Sequence, residues 1–176
     1  MEDVIRALEA ARQAPSGANR QPWKFLLVTD PEVKAKLRRA SERGEKELYD
    51  NVRGEFREWL LDHGLSHEKP FLEEAPLLVV VLMEKAAPYA RESVWVAIGY
   101  LLLALVEAGL GSMPYTPSNT EYPLSELNVP EGYGLEAILP IGYSDDENPK
   151  EPRKSMEEIV YVNRWGTKLD ASFPRS

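Results

Sequence analysis

The sequence predicts an α+β fold, an α/β sandwich with helices over a central mixed sheet and one long buried central helix. Three observations carry this. Apolar, β-rich runs occur at 23–29 (WKFLLVT), 77–83 (LLVVVLM) and 135–141 (LEAILPI), separated by stretches of helical periodicity. The run 94–106 is apolar all round and broken only by Gly99, as expected of a helix covered on every side. The chain has 176 residues, 43% of them hydrophobic, enough for one domain with a sizeable core, 1–176.

The elements follow in order. Val4, Ile5, Leu8 and Ala11 are at helical spacing, and Pro15 ends the pattern. Residues 15–22 are a turn-rich loop before the first strand. Asp30-Pro31-Glu32 reads as an N-cap, a proline at the first helical position and an acid, opening a helix to about Ser41. Leu48, Tyr49, Val52, Phe56, Trp59 and Leu60 then describe a second amphipathic helix ending near Gly64. The run 77–83 suits a strand buried on both faces. Gly109 and Gly111 stop the long helix, and 112–116 reads as a short strand. Residues 126–134 read as irregular. Residues 147–152 form a polar, proline-bearing tail, followed by a short helix or strand at 155–162 and a loose C-terminus.

Composition narrows the function. The net charge is −8 and the pI is near 4.9, which disfavours nucleic acid as a main partner. Cysteine is absent, which removes disulfides, thiolate nucleophiles and Cys-metal sites and suits a cytoplasmic setting. The start is acidic and lacks the apolar stretch of a signal peptide. The run 94–106 is shorter than the roughly 20 residues that cross a bilayer, so no membrane partner is expected. There is no Gly-x-Ser-x-Gly elbow and no Gly-x₄-Gly-Lys-Ser/Thr phosphate loop. His63 and His67 are spaced as helix-borne metal ligands, but Gly64 intervenes and no acidic third ligand is placed, so no metal is expected. With so few reactive side chains, a cofactor that carries the chemistry itself is expected.

The segment 15–23 (PSGANRQPW) offers backbone N–H groups and side-chain amides suited to the edge of a planar, polar heterocycle. On chemistry alone it reads first as an ordinary turn leading into a strand. Residues 14–25 (APSGANRQPWKF), however, resemble the "APS-x-x-N-x-QPW-x-F" signature of the nitroreductase family. Residues 72–83 resemble the family's "AP" plus apolar strand, 94–111 its central helix ending Gly-Leu-Gly, 139–143 (LPIGY) its "LP-x-GY" strand end, and 153–160 its "RKPLEEIV" tail. The pieces come in the family's order over about residues 3–166.

The resemblance implies an α+β homodimer with two FMN sites at the interface. It implies that Pro15, Ser16, Gly17 and Asn19 contact the flavin ring or ribityl chain, that Arg153 pairs with the FMN phosphate, and that Arg164 is a second basic candidate. It sets Pro114, Tyr115 and Thr116 opposite flavin N5, with Thr116 as the catalytic hydroxyl. The family's "RRS-x-R" motif, usually about 25 residues before the Pro-Ser loop, does not occur, and Arg6 and Arg12 are not its equivalents by spacing. Either the motif lies upstream, or another basic group substitutes, or FMN binding is weakened. Two lost phosphate contacts of about 1.5–3 kcal/mol each would weaken it by orders of magnitude.

The main functional expectation is electron transfer from NADH or NADPH through FMN to a small organic acceptor such as a nitroaromatic or quinone. An alternative comes from the lid region, 45–70. Glu45, Tyr49 and Lys69 resemble the spacing of the residues with which iodotyrosine deiodinases, reductive dehalogenases of the same superfamily, clamp an amino-acid zwitterion. Residues 115–119 (YTPSN) resemble their "TTP-x-N" segment. A Glu/Tyr pair four apart is equally at home on any amphipathic helix. A third alternative is a flavin-poor dimeric binding module without redox turnover.

Overall fold

In a computed structural model the described residues are 1–145 and 151–168; residues 147–150 of the polar tail and the C-terminus beyond 168 lie outside them. The chain divides into two compact units, Met1–Ser144 and Asp145–Ser176, described separately below.

In the first unit, β1 (Trp23–Val28), β2 (Leu77–Glu84), β3 (Gly111–Ser112) and β4 (Tyr133–Gly142) form one sheet in the order β1-β2-β4-β3. Every described pairing is antiparallel, which corrects the expected mixed sheet. Strand polarity is set by how each helical connection returns to the sheet, and apolar runs carry no sign of it. The α+β class itself holds.

Strand β2 is buried on both faces, as its unbroken apolar run required. Leu77, Val79 and Val81 face α1 (Glu2–Ala11) and α5 (Ala90–Glu107). Leu78, Val80 and Leu82 face the other layer, with Leu37 of α2 (Pro31–Asn51), Leu72 of α4 (Phe71–Glu74) and Leu124 of α6 (Glu121–Glu126). The sheet is the middle of a three-layer sandwich.

Helix α2 starts as its sequence demands: the Asp30 carboxylate accepts from the N–H groups of Glu32 (2.8 Å) and Val33 (3.2 Å), and Pro31 opens the first turn. It does not stop near Ser41. It runs to Asn51: Gly44 keeps helical geometry inside it, and the break comes only at Gly54, whose φ of +67° separates it from α3 (Glu55–Asp62). The short helices α4 and α6 were not foreseen; each is too brief to carry a periodic signal.

The long helix α5 needs a correction too. Ser93, Val94, Ala97, Ile98, Leu101 and Leu105 are buried, but Tyr100, Leu103 and Val106 are exposed, Leu103 at 72%. Within this chain only one face of an all-apolar helix is covered.

The second unit contains α7 (Met156–Ile159), opened by a capping box between Ser155 and Glu158. Tyr161 bridges Lys168, and the Tyr161 and Trp165 rings lie 4.5 Å apart.

Candidate functional site

Helix α2 presents Glu45 and Tyr49 one turn apart toward a cavity of about 600 Å³. Lys69, just before α4, lines the same cavity, as do Tyr115 and Thr116 from the segment after β3. Leu48, Leu60, Leu65, Phe71 and Met113 supply its apolar wall. A volume of this order suits a small organic ligand. The three lid residues singled out in the sequence therefore share one cavity.

Local packing explains the convergence. Gly44 lies inside α2, where a Cβ would sit 2.8 Å from the Asn119 Cβ. Its absence lets the segment around 115–119 lie against the helix. Glu45, the next residue, is only 5% exposed. Its Oε1 accepts both the Tyr115 hydroxyl (2.8 Å) and the Ser118 N–H (3.0 Å). Tyr115 is itself pinned to β4 by a backbone pair with Ile138, at 3.1 and 2.8 Å.

Lys69 is placed from α2 as well. Its backbone N–H donates to Glu42 Oε1 at 2.8 Å, and the same oxygen accepts from Arg38 Nε at 2.7 Å. Buried Lys34 donates to the carbonyls of Glu73 (2.9 Å) and Ala75 (2.7 Å), tying the end of α4 to α2. The Lys69 ammonium donates to the Ser66 carbonyl and lies 5.5 Å from the centre of the Tyr49 ring.

The charges respond to this enclosure. Burial pushes the Lys69 ammonium below the usual lysine value, against the pull of Glu45 and Glu42. Burial raises the Tyr49 phenol, and the charge of Glu45 raises it further. Tyr115 is pushed far up by burial and by its bond to Glu45, so it stays a protonated donor.

Strand β4 contributes a residue that sequence reasoning missed. Opposite Val81 and Leu82 its register skips Glu136, a β-bulge. The Glu136 carbonyl accepts the Thr116 hydroxyl at 3.0 Å. Its buried carboxylate receives Arg91 from α5 at 3.0–3.2 Å and the Trp95 indole N–H at 3.0 Å. One charged residue inside the run 135–141 was the available signal.

The loop at 15–22 is a separate feature, and none of its residues lines the cavity. It contains a 3₁₀ turn, Gly17–Asn19, with positive φ at Ala18, Asn19 and Gln21. Such strain in non-glycine residues persists only where the surroundings enforce it. Here the Ser93 hydroxyl accepts from the Gly17 N–H (3.1 Å), and the Ser16 hydroxyl from the Gln21 N–H (3.0 Å). A Cβ on Gly17 would lie 2.9 Å from the Tyr89 ring. Pro15 and Asn19 are exposed and Ser16 is half-buried. Pro114 is exposed beside Tyr115 without lining the cavity.

Arg6 and Arg12 are held by acids of their own helix, Asp3 and Glu9. Arg153 and Arg164 lie in the second unit, both exposed, with Arg153 donating to the Glu151 carbonyl at 3.0 Å. The His63 Nδ1–H donates to the Trp59 carbonyl at 2.8 Å, and the ring stacks on that indole. No helix among the described residues is long and apolar enough to cross a membrane.

Comparison with known proteins bears on this geometry. Residues 1–143 match the nitroreductase family model. An iodotyrosine deiodinase of Thermotoga neapolitana is 53% identical over 94% of this chain and 88% of its own length. One from Haliscomenobacter hydrossis is 38% identical over 81% of this chain and 69% of its own length. A crystal structure of oxidized iodotyrosine deiodinase bound to FMN and 3-iodo-L-tyrosine superposes with a TM-score of 0.86 at 52% identity, covering 94% of this chain and 88% of that one. These relatives overturn the main functional expectation, NADH- or NADPH-driven transfer to nitroaromatics or quinones. That expectation followed the general activity of the resembled family instead of the lid residues. On the extent of the family match and the identity of its relatives, the chain belongs to the nitroreductase family.

Proposed function

We propose that this chain is an FMN-dependent reductive dehalogenase of the iodotyrosine deiodinase type. The observation that carries the reading is the meeting of Glu45, Tyr49 and Lys69 in one cavity. A carboxylate and an ammonium across an apolar-walled cleft match the ammonium and carboxylate of an α-amino acid. Glu45 would receive the ammonium, Lys69 the carboxylate, and Tyr49 would orient the substrate between them. The chain's similarity to iodotyrosine deiodinases, one solved with FMN and 3-iodo-L-tyrosine, supports the same substrate class.

The loop at 15–22 suits a flavin. It is tightly held from behind by Ser93, and it keeps Asn19 exposed as an amide donor and acceptor. Ser16, Gly17 and Asn19 would hold the ring or ribityl chain, with Pro15 shaping the turn. The phosphate roles of Arg153 and Arg164, and the placing of Pro114 and Thr116 opposite the ring, rest on the resemblance; Tyr115 instead commits its hydroxyl to Glu45 and its backbone N–H to Ile138. Bound FMN would supply the two electrons of the reaction. An aromatic carbon–halogen bond is replaced by carbon–hydrogen, one proton is taken up, and halide leaves. The chain's own residues bind and orient the amino acid. The exposed apolar face of α5 supports a homodimer, with a second copy of this chain covering Tyr100, Leu103 and Val106.

The test is binding. FMN-loaded protein is titrated with 3-iodo-L-tyrosine while flavin fluorescence is followed, beside Glu45→Gln. Saturable quenching in the wild type, weakened about tenfold or more in the variant, supports the reading. Equal binding in both, or none in either, contradicts it.

A further inference from the structure

We propose that Tyr115 is a positioning residue for amino-acid recognition: its buried hydroxyl holds Glu45 so that one carboxylate oxygen is left to meet the substrate's ammonium. The inference rests on the deiodinase reading above and extends it to a residue that acts through Glu45.

Both hydrogen bonds to the Glu45 carboxylate end on the same atom. Oε1 takes the Tyr115 hydroxyl at 2.8 Å and the Ser118 N–H at 3.0 Å, while Oε2 has no hydrogen bond among the described residues. Terminal carboxylate torsions are broad, so an unrestrained glutamate samples many orientations. Two donors from the 115–118 segment, which is itself pinned to β4 at Tyr115, remove that freedom. Tyr115 can serve as such an anchor because it is itself immobilised. Its backbone is paired with Ile138 of β4, its ring sits edge-on to Phe71 with centroids 5.5 Å apart, and only 8% of it is exposed. Burial and the neighbouring carboxylate push its phenol far above the usual tyrosine value, so it stays protonated and donates.

The arrangement also addresses selectivity. A free carboxylate oxygen next to a half-buried lysine discriminates a zwitterion from a phenol bearing only one of the two charges. If Glu45 turned away, its neighbour Lys69 would take it as a counterion, and the site would close on itself. The Tyr115 hydroxyl holds Glu45 apart from that collapse.

The experiment uses FMN-loaded protein and two probes, 3-iodo-L-tyrosine and 3-(4-hydroxy-3-iodophenyl)propanoate, which lacks only the ammonium. Tyr115→Phe keeps the ring, its packing against Phe71 and the backbone bridge, so the fold is retained, and thermal unfolding is measured beside it. Tyr115→Phe is expected to weaken iodotyrosine binding about tenfold and to leave the propanoate unchanged. A purely structural role would move both probes together. An equal loss for both, or an iodotyrosine affinity within twofold of wild type, overturns the proposal. Glu45→Gln separates the two layers. If Glu45→Gln loses the preference for iodotyrosine while Tyr115→Phe keeps it, only this inference falls. If Glu45→Gln keeps the preference, the clamp reading itself falls, and this inference with it.

Discussion

The backbone N–H of Lys69 donates to Glu42 Oε1 at 2.8 Å, tying the loop before α4 to α2 across 27 residues of sequence. Arg38 holds the same carboxylate from one turn earlier on α2. The lysine that lines the same cavity as Glu45 is thus set by a residue that does not line it.

That tie has a pH signature. Burial raises the Glu42 carboxyl, but the hydrogen bonds from Arg38 and from the Lys69 N–H outweigh it, and the net shift is downward. A carboxylate whose folded pKa is depressed contributes stability above its unfolded value, near 4.3, and loses it as pH falls through the folded value. Glu42→Gln should therefore narrow its stability gap from wild type as pH drops below about 4. Urea midpoints at pH 7, 5 and 3.5 check this, and a gap independent of pH would contradict it.

Lys69→Met removes the cation facing the substrate carboxylate and keeps most of the stem. Affinity for 3-iodo-L-tyrosine should fall about tenfold to a hundredfold, the range expected for one charge-assisted contact. Affinity for 3-iodotyramine, which has no carboxylate, should not fall. Paired fluorescence titrations read the contrast.

Gly17→Ala tests the loop. The added Cβ meets the Tyr89 ring at 2.9 Å and the Pro88 carbonyl at 3.0 Å, so the loop must shift. Overpacking of this kind costs about 1–3 kcal/mol. FMN affinity should drop at least tenfold while the far-ultraviolet spectrum is unchanged, as equilibrium dialysis and circular dichroism would show.

Leu103→Glu together with Val106→Glu places two charges on the exposed face of α5. Light scattering should give a dimer for the wild type and a monomer for the double variant. A monomeric wild type would contradict the proposed homodimer.

Much of the fold was legible because its signals are local. The N-cap at Asp30, the doubly buried run of β2 and the break at Gly64 follow from a few neighbouring residues each. What was misread depends on distant partners. The length of α2 is not legible because the charged stretch carries no boundary and its one glycine, Gly44, serves close packing and does not end the helix. The exposed side of α5 was taken as buried because apolarity does not say what covers it. Glu45, Tyr49 and Lys69 drew notice through their resemblance to the deiodinase spacing, whereas the bond between Tyr115 and Glu45 spans 70 residues and the bulge at Glu136 exists only in the paired sheet. Spacing along one helix is readable in one dimension, but a hydrogen bond between segments far apart in the chain is not.

The most direct measurement is halide release. FMN-loaded protein is mixed anaerobically with dithionite and 3-iodo-L-tyrosine, and iodide and tyrosine are quantified together. The deiodinase reading expects iodide and tyrosine to form in equal amounts, catalytically, and to fall sharply in Glu45→Gln. Loaded protein that binds FMN yet releases no iodide above the protein-free control would contradict it.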